Sequence, residues 1–136
     1  MKQYLFIIFC ILSTGLILAA CGVDKESSLP GAGDASRGKA LYEKTVLGTS
    51  AAPGCITCHS LETGVTLVGP SHAGIASRAG SVVPGLSAEE YLRESIVNPD
   101  AHITEGFAPG IMYQRFGADL SEQEINDLVA YLLTLE

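Results

Sequence analysis

The stretch GCITCHS, residues 54–60, constrains what this chain can fold into more than any other segment. Cys55 and Cys58 are separated by two residues, and His59 follows the second cysteine directly. Paired cysteines at this spacing serve three chemistries: dithiol exchange, zinc binding and covalent attachment of haem. Each chemistry needs a different surrounding fold, so the rest of the chain must decide among them.

The first twenty residues have the pattern of an export signal. Lys2 supplies a positive start, and residues 5–20 are an apolar run that STG at 13–15 interrupts. The run is shorter than the ~20 apolar residues that span a bilayer comfortably. It ends in LAAC, which resembles the lipobox of bacterial lipoproteins, where cleavage precedes an acylated cysteine. We therefore expect a signal peptide at 1–20 and a lipid anchor on Cys21. An uncleaved anchor helix is the alternative.

Either interpretation places the following domain outside the cytoplasm and holds it at a membrane, on the periplasmic side. Cys10 leaves with the signal and Cys21 carries the lipid, so only Cys55 and Cys58 remain for other chemistry. Removal of the signal takes one lysine and no acid, which leaves seven basic and fifteen acidic residues and a net charge of −8. This charge argues against nucleic acid as a partner and favours a basic protein surface.

Residues 21–33 are small, polar and rich in glycine, which is typical of a flexible tether. The domain at 34–136 contains three helix signals, over 34–44, 87–97 and 121–136. The first begins at the N-cap Asp34, and the other two begin with capping boxes that pair a serine with a glutamate three residues later. The last helix has an apolar stripe at Ile125, Leu128, Val129, Leu132 and Leu133. No convincing strand pattern and no repeats appear, so the predicted class is all-α.

Long loops rich in glycine and proline, at 45–54, 62–86 and 98–120, separate these helices. About 100 residues with so much loop make a poor core by themselves. Loops of this length in a compact domain need a physical reason. A large apolar cofactor around which the loops wrap would supply it.

Haem fits this chain best among the three chemistries. Thioredoxin-like exchange needs a βαβ pattern, which is absent. Zinc needs four nitrogen or sulfur ligands, and beyond CxxCH only His72 and His102 remain, at unfamiliar spacings. Two thiols at i and i+3 are neighbours on one helical turn, so each can form a thioether to a porphyrin vinyl group. His59 then binds the iron, and we predict one covalent haem c.

Met112 is the candidate sixth ligand of that iron. It is the only methionine after Met1 is lost, and it lies 53 residues after His59 in a loop, GFAPGIMYQRFG. A buried gap-filling methionine is the alternative, but this residue lies among glycines and a proline, off any apolar stripe. His72 and His102 are competitors, and each is better explained as a surface or loop histidine.

The domain resembles a class I cytochrome c. The resemblance rests on Gly38 in the first helix, the CxxCH, GP at 69–70, a middle helix, a methionine loop and a final helix with LVAYLLTL. It implies a fold of about three main helices, with short turns and long loops around one haem. It also implies that Gly38 contacts Tyr131 where the first and last helices cross. The carbonyl of Pro70 is implied to accept the Nδ1 proton of His59, which fixes the ring.

Within this family, residues 74–112 are similar to the monohaem lipoprotein subunit of bacterial alternative complex III and to the cytochrome domain on subunit II of some haem-copper oxidases. The lipobox and the absence of a copper-site segment favour the first. Two positions depart from the family. His72 replaces an apolar residue, which affects the distal edge of the pocket, and Tyr113 replaces a proline after Met112.

The resemblance implies a one-electron carrier of a membrane-bound respiratory or photosynthetic chain, whose saturated iron does no bond chemistry. Expected partners are the other subunits of a quinol-oxidising complex and a soluble redox protein acceptor. One alternative is a haem enzyme or gas sensor with an open sixth position, in which His72 or Arg115 is the polar distal group. The other is an assembly subunit with incidental haem.

Acids crowd the final helix and its approach, at Asp119, Glu122, Glu124, Asp127 and Glu136. The favoured interpretation is a solvated helix face with acids at its N-terminus. The alternative is a surface that steers a basic electron partner toward the haem edge.

Overall fold

The computed structural model describes residues 31–136. The expected signal peptide, the anchor Cys21 and most of the tether lie outside the described residues. Between residues 31 and 136, no helix is long and apolar enough to cross a membrane.

The described residues form five α-helices and one short antiparallel ladder. The elements are α1 (Ala35–Tyr42), β1 (Val46–Leu47), β2 (Ala52–Pro53), a 3₁₀ helix (Cys55–Thr57), α2 (Ile75–Ala79), α3 (Ala88–Val97), α4 (Phe116–Asp119) and α5 (Glu122–Leu132). The ladder contains two residues from each strand, so the predicted all-α class is confirmed.

The predicted start signals cap the three longest helices. The Asp34 side chain accepts the N–H of Arg37 at the start of α1. Both bonds of a capping box are present at the start of α3 and of α5. The final helix ends at Leu132 rather than at Glu136, because i→i+3 bonds tighten the chain there. Local sequence thus determines where these helices begin, and backbone tightening determines where the last one ends.

Two short helices, α2 and α4, lie within segments predicted as loops. They contain five and four residues, about one turn each, so neither is long enough to show a helical repeat of apolar residues. Each β-strand has two residues and therefore shows no alternation. The long loops are consequently shorter than the sequence predicts.

Helix α1 packs against α5 more extensively than any other pair of described elements. A Cβ placed on Gly38 would lie 1.9 Å from the carbonyl oxygen of Asp127 and 2.8 Å from the Cβ of Tyr131. The expected contact between Gly38 and Tyr131 is therefore confirmed, and the backbone of Asp127 lies closer still. Only a hydrogen atom fits at this crossing.

Asp127 is a buried acid of α5, with 2% of its surface exposed. Its carboxylate accepts hydrogen bonds from Arg37 at 2.7 and 2.9 Å, from the backbone N–H of Asp34 at 2.8 Å and from Gln123 at 2.9 Å. Burial by itself raises the pKa of Asp127, but these bonds outweigh it and hold the pKa below its ordinary value. Both interpretations of Asp127 as a surface acid are wrong, because it joins the start of α1 to α5.

Residues 31–33, assigned to the tether from sequence, lie against α5. The carbonyl oxygens of Gly31 and Ala32 accept bonds from Asn126 at 2.9 Å and from Gln123 at 2.8 Å. A Cβ on Gly33 would lie 2.1 Å from the Asn126 carbonyl oxygen. The chain therefore meets the domain along α5 before α1 begins.

Candidate cofactor site

A cavity of about 420 Å³ lies between the loops and the core. Cys55, Cys58, His59 and Met112 all line it. Much of the remaining wall is apolar, and the loops and all five helices contribute to it; the helical residues include Tyr42, Ile75, Leu92, Ile96, Phe116 and Leu128. Binding sites for organic ligands are typically apolar cavities of roughly 300–1,000 Å³, so this space suits a large apolar cofactor.

The two cysteines are held by a single 3₁₀ turn. The N–H groups of Cys58 and His59 donate to the carbonyl oxygen of Cys55 at 3.1 and 2.9 Å. The hydroxyl of Thr57 donates to the carbonyl oxygen of Gly54 at 2.6 Å and closes the turn from the other side. Both thiols therefore lie on the same cavity wall, one turn apart, as the spacing predicts.

The thiol chemistry does not favour the two alternatives to haem. Burial raises the pKa of Cys55 to about 11, whereas dithiol exchange needs a cysteine with a lowered pKa. Among residues 31–136, no group of three or more His, Cys, Asp or Glu side chains is placed to hold a metal ion. Cys55 is thus not a reactive thiolate, and the described residues offer no zinc site.

His59 is buried, with 8% of its surface exposed, and its ring is held at one edge. Its Nδ1 lies 2.8 Å from the carbonyl oxygen of Pro70, the partner that the resemblance implies. A carbonyl oxygen only accepts, so Nδ1 carries the proton and Nε2 keeps a lone pair. Burial lowers the pKa of His59, which keeps the ring neutral. The ring is therefore prepared to bind a metal through Nε2.

Gly69 gives the His59 ring its space. A Cβ on Gly69 would lie 2.4 Å from Cε1 and 2.8 Å from Nδ1 of His59. In the sequence, Gly69 is recognised only as part of the GP pair. The structure shows why a glycine is needed: any side chain there would overlap the His59 ring.

His72 lies on the same side of the site as His59. The two rings are stacked, with centroids 4.0 Å apart and planes inclined by 13°. Nδ1 of His72 is also 3.1 Å from the hydroxyl oxygen of Tyr42. His72 lies in a loop, as expected, but its stacking on His59 makes the expected effect on the distal edge wrong. A ring stacked face to face on His59 cannot bind the same iron from the opposite side.

His102 lines the cavity but is held by α3. Its Nε2 lies 2.8 Å from a carboxylate oxygen of Glu94, and its ring is 6.1 Å from that of Tyr91. Ligation through Nε2 would have to break the contact with Glu94. This competing ligand is therefore already engaged.

Met112 is half-buried and packs against the core. Its loop is fastened by Asp100, whose carboxylate accepts from the N–H of Gly110 at 2.9 Å and from Gln114 at 3.1 Å. Gln114 also donates to the carbonyl oxygen of Met112 at 2.9 Å. Sequence reasoning missed Asp100, although its place directly after NP is typical of a turn-forming aspartate.

Tyr113 fastens the other end of the methionine loop. Its hydroxyl donates to the Asp119 carboxylate at 2.5 Å, and its ring packs edge-on against Phe116 at 5.0 Å. The loop therefore has a side-chain anchor where proline often follows the methionine. Asp119, counted from sequence among the surface acids, has only 6% of its side chain exposed.

Most of the acids on the final helix and its approach have partners within the protein. Glu122 pairs with Arg93 of α3, and Glu124 caps the helix that contains it. With Asp119 and Asp127 also bonded, four of the five acids have structural partners. The expected solvated acids at the helix N-terminus are confirmed for Glu122, whose side chain is 76% exposed, whereas Asp119 and Asp127 are mostly buried. Steering of a basic partner by the exposed acids stays a prediction.

The side chains around the cavity fit a covalent haem. Two thiols lie one turn apart, a neutral imidazole is prepared to bind through Nε2, and the walls are apolar. The family model for Cytochrome c matches residues 35–136, from the first residue of α1 to the end of the chain. This match includes Cys55 and Cys58, which fit the CxxCH haem-binding motif. The chain belongs to the cytochrome c family as a class I c-type cytochrome, an electron carrier with covalent haem c.

Proposed function

We propose that this chain carries single electrons through a covalent haem whose iron His59 and Met112 would both bind. The proposal rests on one observation: His59 and Met112 line the same cavity as Cys55 and Cys58. The two other histidines, His72 and His102, are held by Tyr42 and Glu94. When bound, the haem supplies a reversible Fe(III)/Fe(II) couple.

The protein residues orient the ligands and exclude water. Pro70 holds the proton of His59 at Nδ1, so that Nε2 keeps the lone pair that would bind the iron. Asp100 and Tyr113 fasten the methionine loop at its two ends. Apolar walls stabilise the form of lower charge, and a thioether ligand also favours ferrous iron. Both effects raise the reduction potential.

This arrangement supports a carrier over an enzyme or gas sensor. Such a site needs an open position beside a polar distal group, and His72 lies on the His59 side instead. Arg115, the other polar candidate, has 67% of its side chain exposed and pairs with Asp119. Two protein ligands leave no position for a substrate or O₂.

Met112→His tests the proposed sixth ligand. We expect a lower reduction potential, because imidazole stabilises ferric iron more than thioether sulfur does. The drop should be on the order of 0.1 V or more, since axial ligands set haem potentials across roughly 0.8 V. Redox titration and visible spectra of the holoprotein measure it.

His102→Gln is the matched control, because His102 lines the same cavity but is held by Glu94. It should leave the potential and spectrum nearly unchanged. If Met112→His behaves like wild type while His102→Gln shifts both readouts, His102 is the sixth ligand and the proposed pair is wrong.

We further propose that Cys21 carries a lipid, and that the domain works outside the cytoplasm as a subunit of a quinol-oxidising complex like alternative complex III. The lipobox LAAC and the similarity of residues 74–112 support this proposal. Its partners would be the other subunits and a soluble redox protein acceptor. An assembly subunit with incidental haem remains the alternative, and loss of the gene compared with loss of a haem ligand alone distinguishes the two.

Cys21→Ser should abolish incorporation of a labelled fatty acid. Cys10→Ser is the control. It should keep the label, because Cys10 lies within the expected signal and the lipid would be on Cys21. Extraction in mild detergent should bring the subunits of a quinol-oxidising complex with the wild-type protein. A label that persists in Cys21→Ser contradicts the lipid on Cys21. Extraction of the wild-type protein without any other subunit contradicts its place in a quinol-oxidising complex.

A further inference from the structure

A second histidine supports the His59 ring from behind. The ring of His72 covers the face of His59 at a centroid separation of 4.0 Å and an inclination of 13°. At this separation the two ring surfaces are in van der Waals contact. The His59 ring cannot tilt toward that side without displacing His72.

Tyr42 in turn holds His72. Its hydroxyl oxygen is hydrogen-bonded to Nδ1 of His72 at 3.1 Å, and it also lies 3.4 Å from the carbonyl oxygen of His59. Tyr42 is fully buried at the end of α1, and its ring packs edge-on against Tyr131 of α5 at 5.3 Å. The position of His72 is thereby tied to the crossing of α1 and α5.

We infer that His72 and Tyr42 are positioning residues that set the plane of the His59 imidazole at the iron. This inference rests on the proposed function of His59 as an iron ligand. The Pro70 carbonyl holds the ring at one edge, and a single bond of this kind still permits the ring to rock about it. Contact with His72 across the ring face removes that freedom.

The two residues act as one unit. An apolar side chain at position 72, which the family resemblance leads one to expect, would fill the same space. It would remove the nearer of the two hydrogen-bond partners of the Tyr42 hydroxyl and leave only the longer bond to the His59 carbonyl oxygen. The histidine therefore fills this space and also supplies the shorter of the two bonds to the hydroxyl.

The orientation of an axial imidazole determines how its π orbitals overlap with the iron d orbitals. Electron paramagnetic resonance (EPR) of the ferric holoprotein reports this orientation through its g-values, and the midpoint potential is a second readout. His72→Leu removes both the aromatic contact and the bond to Tyr42, so we expect the largest change in the g-values. His72→Phe keeps an aromatic face on His59 and should cause a smaller change.

Tyr42→Phe removes the hydroxyl with its bonds to His72 and to the His59 carbonyl oxygen but keeps the stacked ring of His72, so it should also cause a smaller change than His72→Leu. The double variant Tyr42→Phe/His72→Phe should change the g-values little more than Tyr42→Phe, because both single variants remove the bond between these two residues. Tyr131→Phe is the control: it removes a hydroxyl from a ring that packs on Tyr42 but pairs with neither histidine in the described structure. Its g-values should match wild type.

Wild-type g-values and potential in both His72→Leu and Tyr42→Phe would overturn the inference. If these variants only melt at a lower temperature, with g-values and potential unchanged, the pair only fills space. If His72→Leu does not fold, His72→Phe and Tyr42→Phe decide by the same criterion. His59→Ala separates this result from failure of the proposed function. If His59→Ala keeps the wild-type spectrum, the proposed ligand is wrong; if it loses that spectrum while the His72 and Tyr42 variants match wild type, only the inference is overturned.

Discussion

Cys55→Ala/Cys58→Ala should yield a chain that keeps no haem colour after denaturation. The two thiols lie one turn apart on the cavity wall, and they are the only cysteines within the described residues. Each single variant keeps one possible thioether and should show a weakened signal. Haem staining of a denaturing gel measures the effect.

Ile56→Ala is the matched control, because Ile56 lies between the two cysteines with 39% of its surface exposed and has no thiol. It should retain the haem band. A colourless wild-type protein that contains zinc would contradict covalent haem directly. A haem band of wild-type strength in the double variant would contradict attachment through this pair.

The same double variant should lose most of its folded structure. A cavity of about 420 Å³ left empty costs about 10 kcal/mol as an upper bound, at roughly 24 cal/mol per Å³. The total stability of a domain is about 5–15 kcal/mol, so loss of the cofactor removes a large share of it. Circular dichroism should show reduced helix content, and Ile56→Ala should keep the wild-type spectrum.

Gly38→Val should destabilise the holoprotein by about 4 kcal/mol or more, among the largest effects of a single substitution. The added Cβ would lie 1.9 Å from the carbonyl oxygen of Asp127, so α1 and α5 would have to separate. This separation would also disturb the contact of Asp127 with Arg37. For about 100 residues the corresponding fall in melting temperature is roughly 15–30 °C.

Ala40→Val provides the control, since it introduces the same side chain at an exposed position of α1. Its cost should be limited to the lower helix propensity of valine, about 0.7 kcal/mol or less. Thermal unfolding followed at the haem absorption band compares the two variants. If both melt within a few degrees of each other, the helices separate at little cost and Gly38 is not required at the crossing.

The long helices could be predicted from sequence because their signals are local. Asp34 and the capping serines of α3 and α5 bond to groups three residues away. The one-turn helices α2 and α4 could not be predicted, because a single turn shows no repeat. They depend on packing against neighbouring elements.

The covalent haem could also be predicted from sequence, because CxxCH places the reacting groups within one turn. Pro70, whose carbonyl oxygen accepts from His59, could be suggested only through the family resemblance, because it lies 11 residues further along the chain. Asp100 and Tyr113, which fasten the methionine loop, needed the structure. Their partners lie across loops whose paths the sequence does not determine.

The sequence by itself determined the attachment chemistry, the helix starts and the all-α class, since each follows from residues within one or two turns. Tertiary structure decided the positions of His72 and Asp127. His72 stacks on a ring 13 residues earlier in the chain, and Asp127 bonds to Arg37, 90 residues away. The same residue types on an open surface would be a solvated histidine and a solvated acid. Burial made them structural, because a polar side chain removed from water must find its partners within the protein.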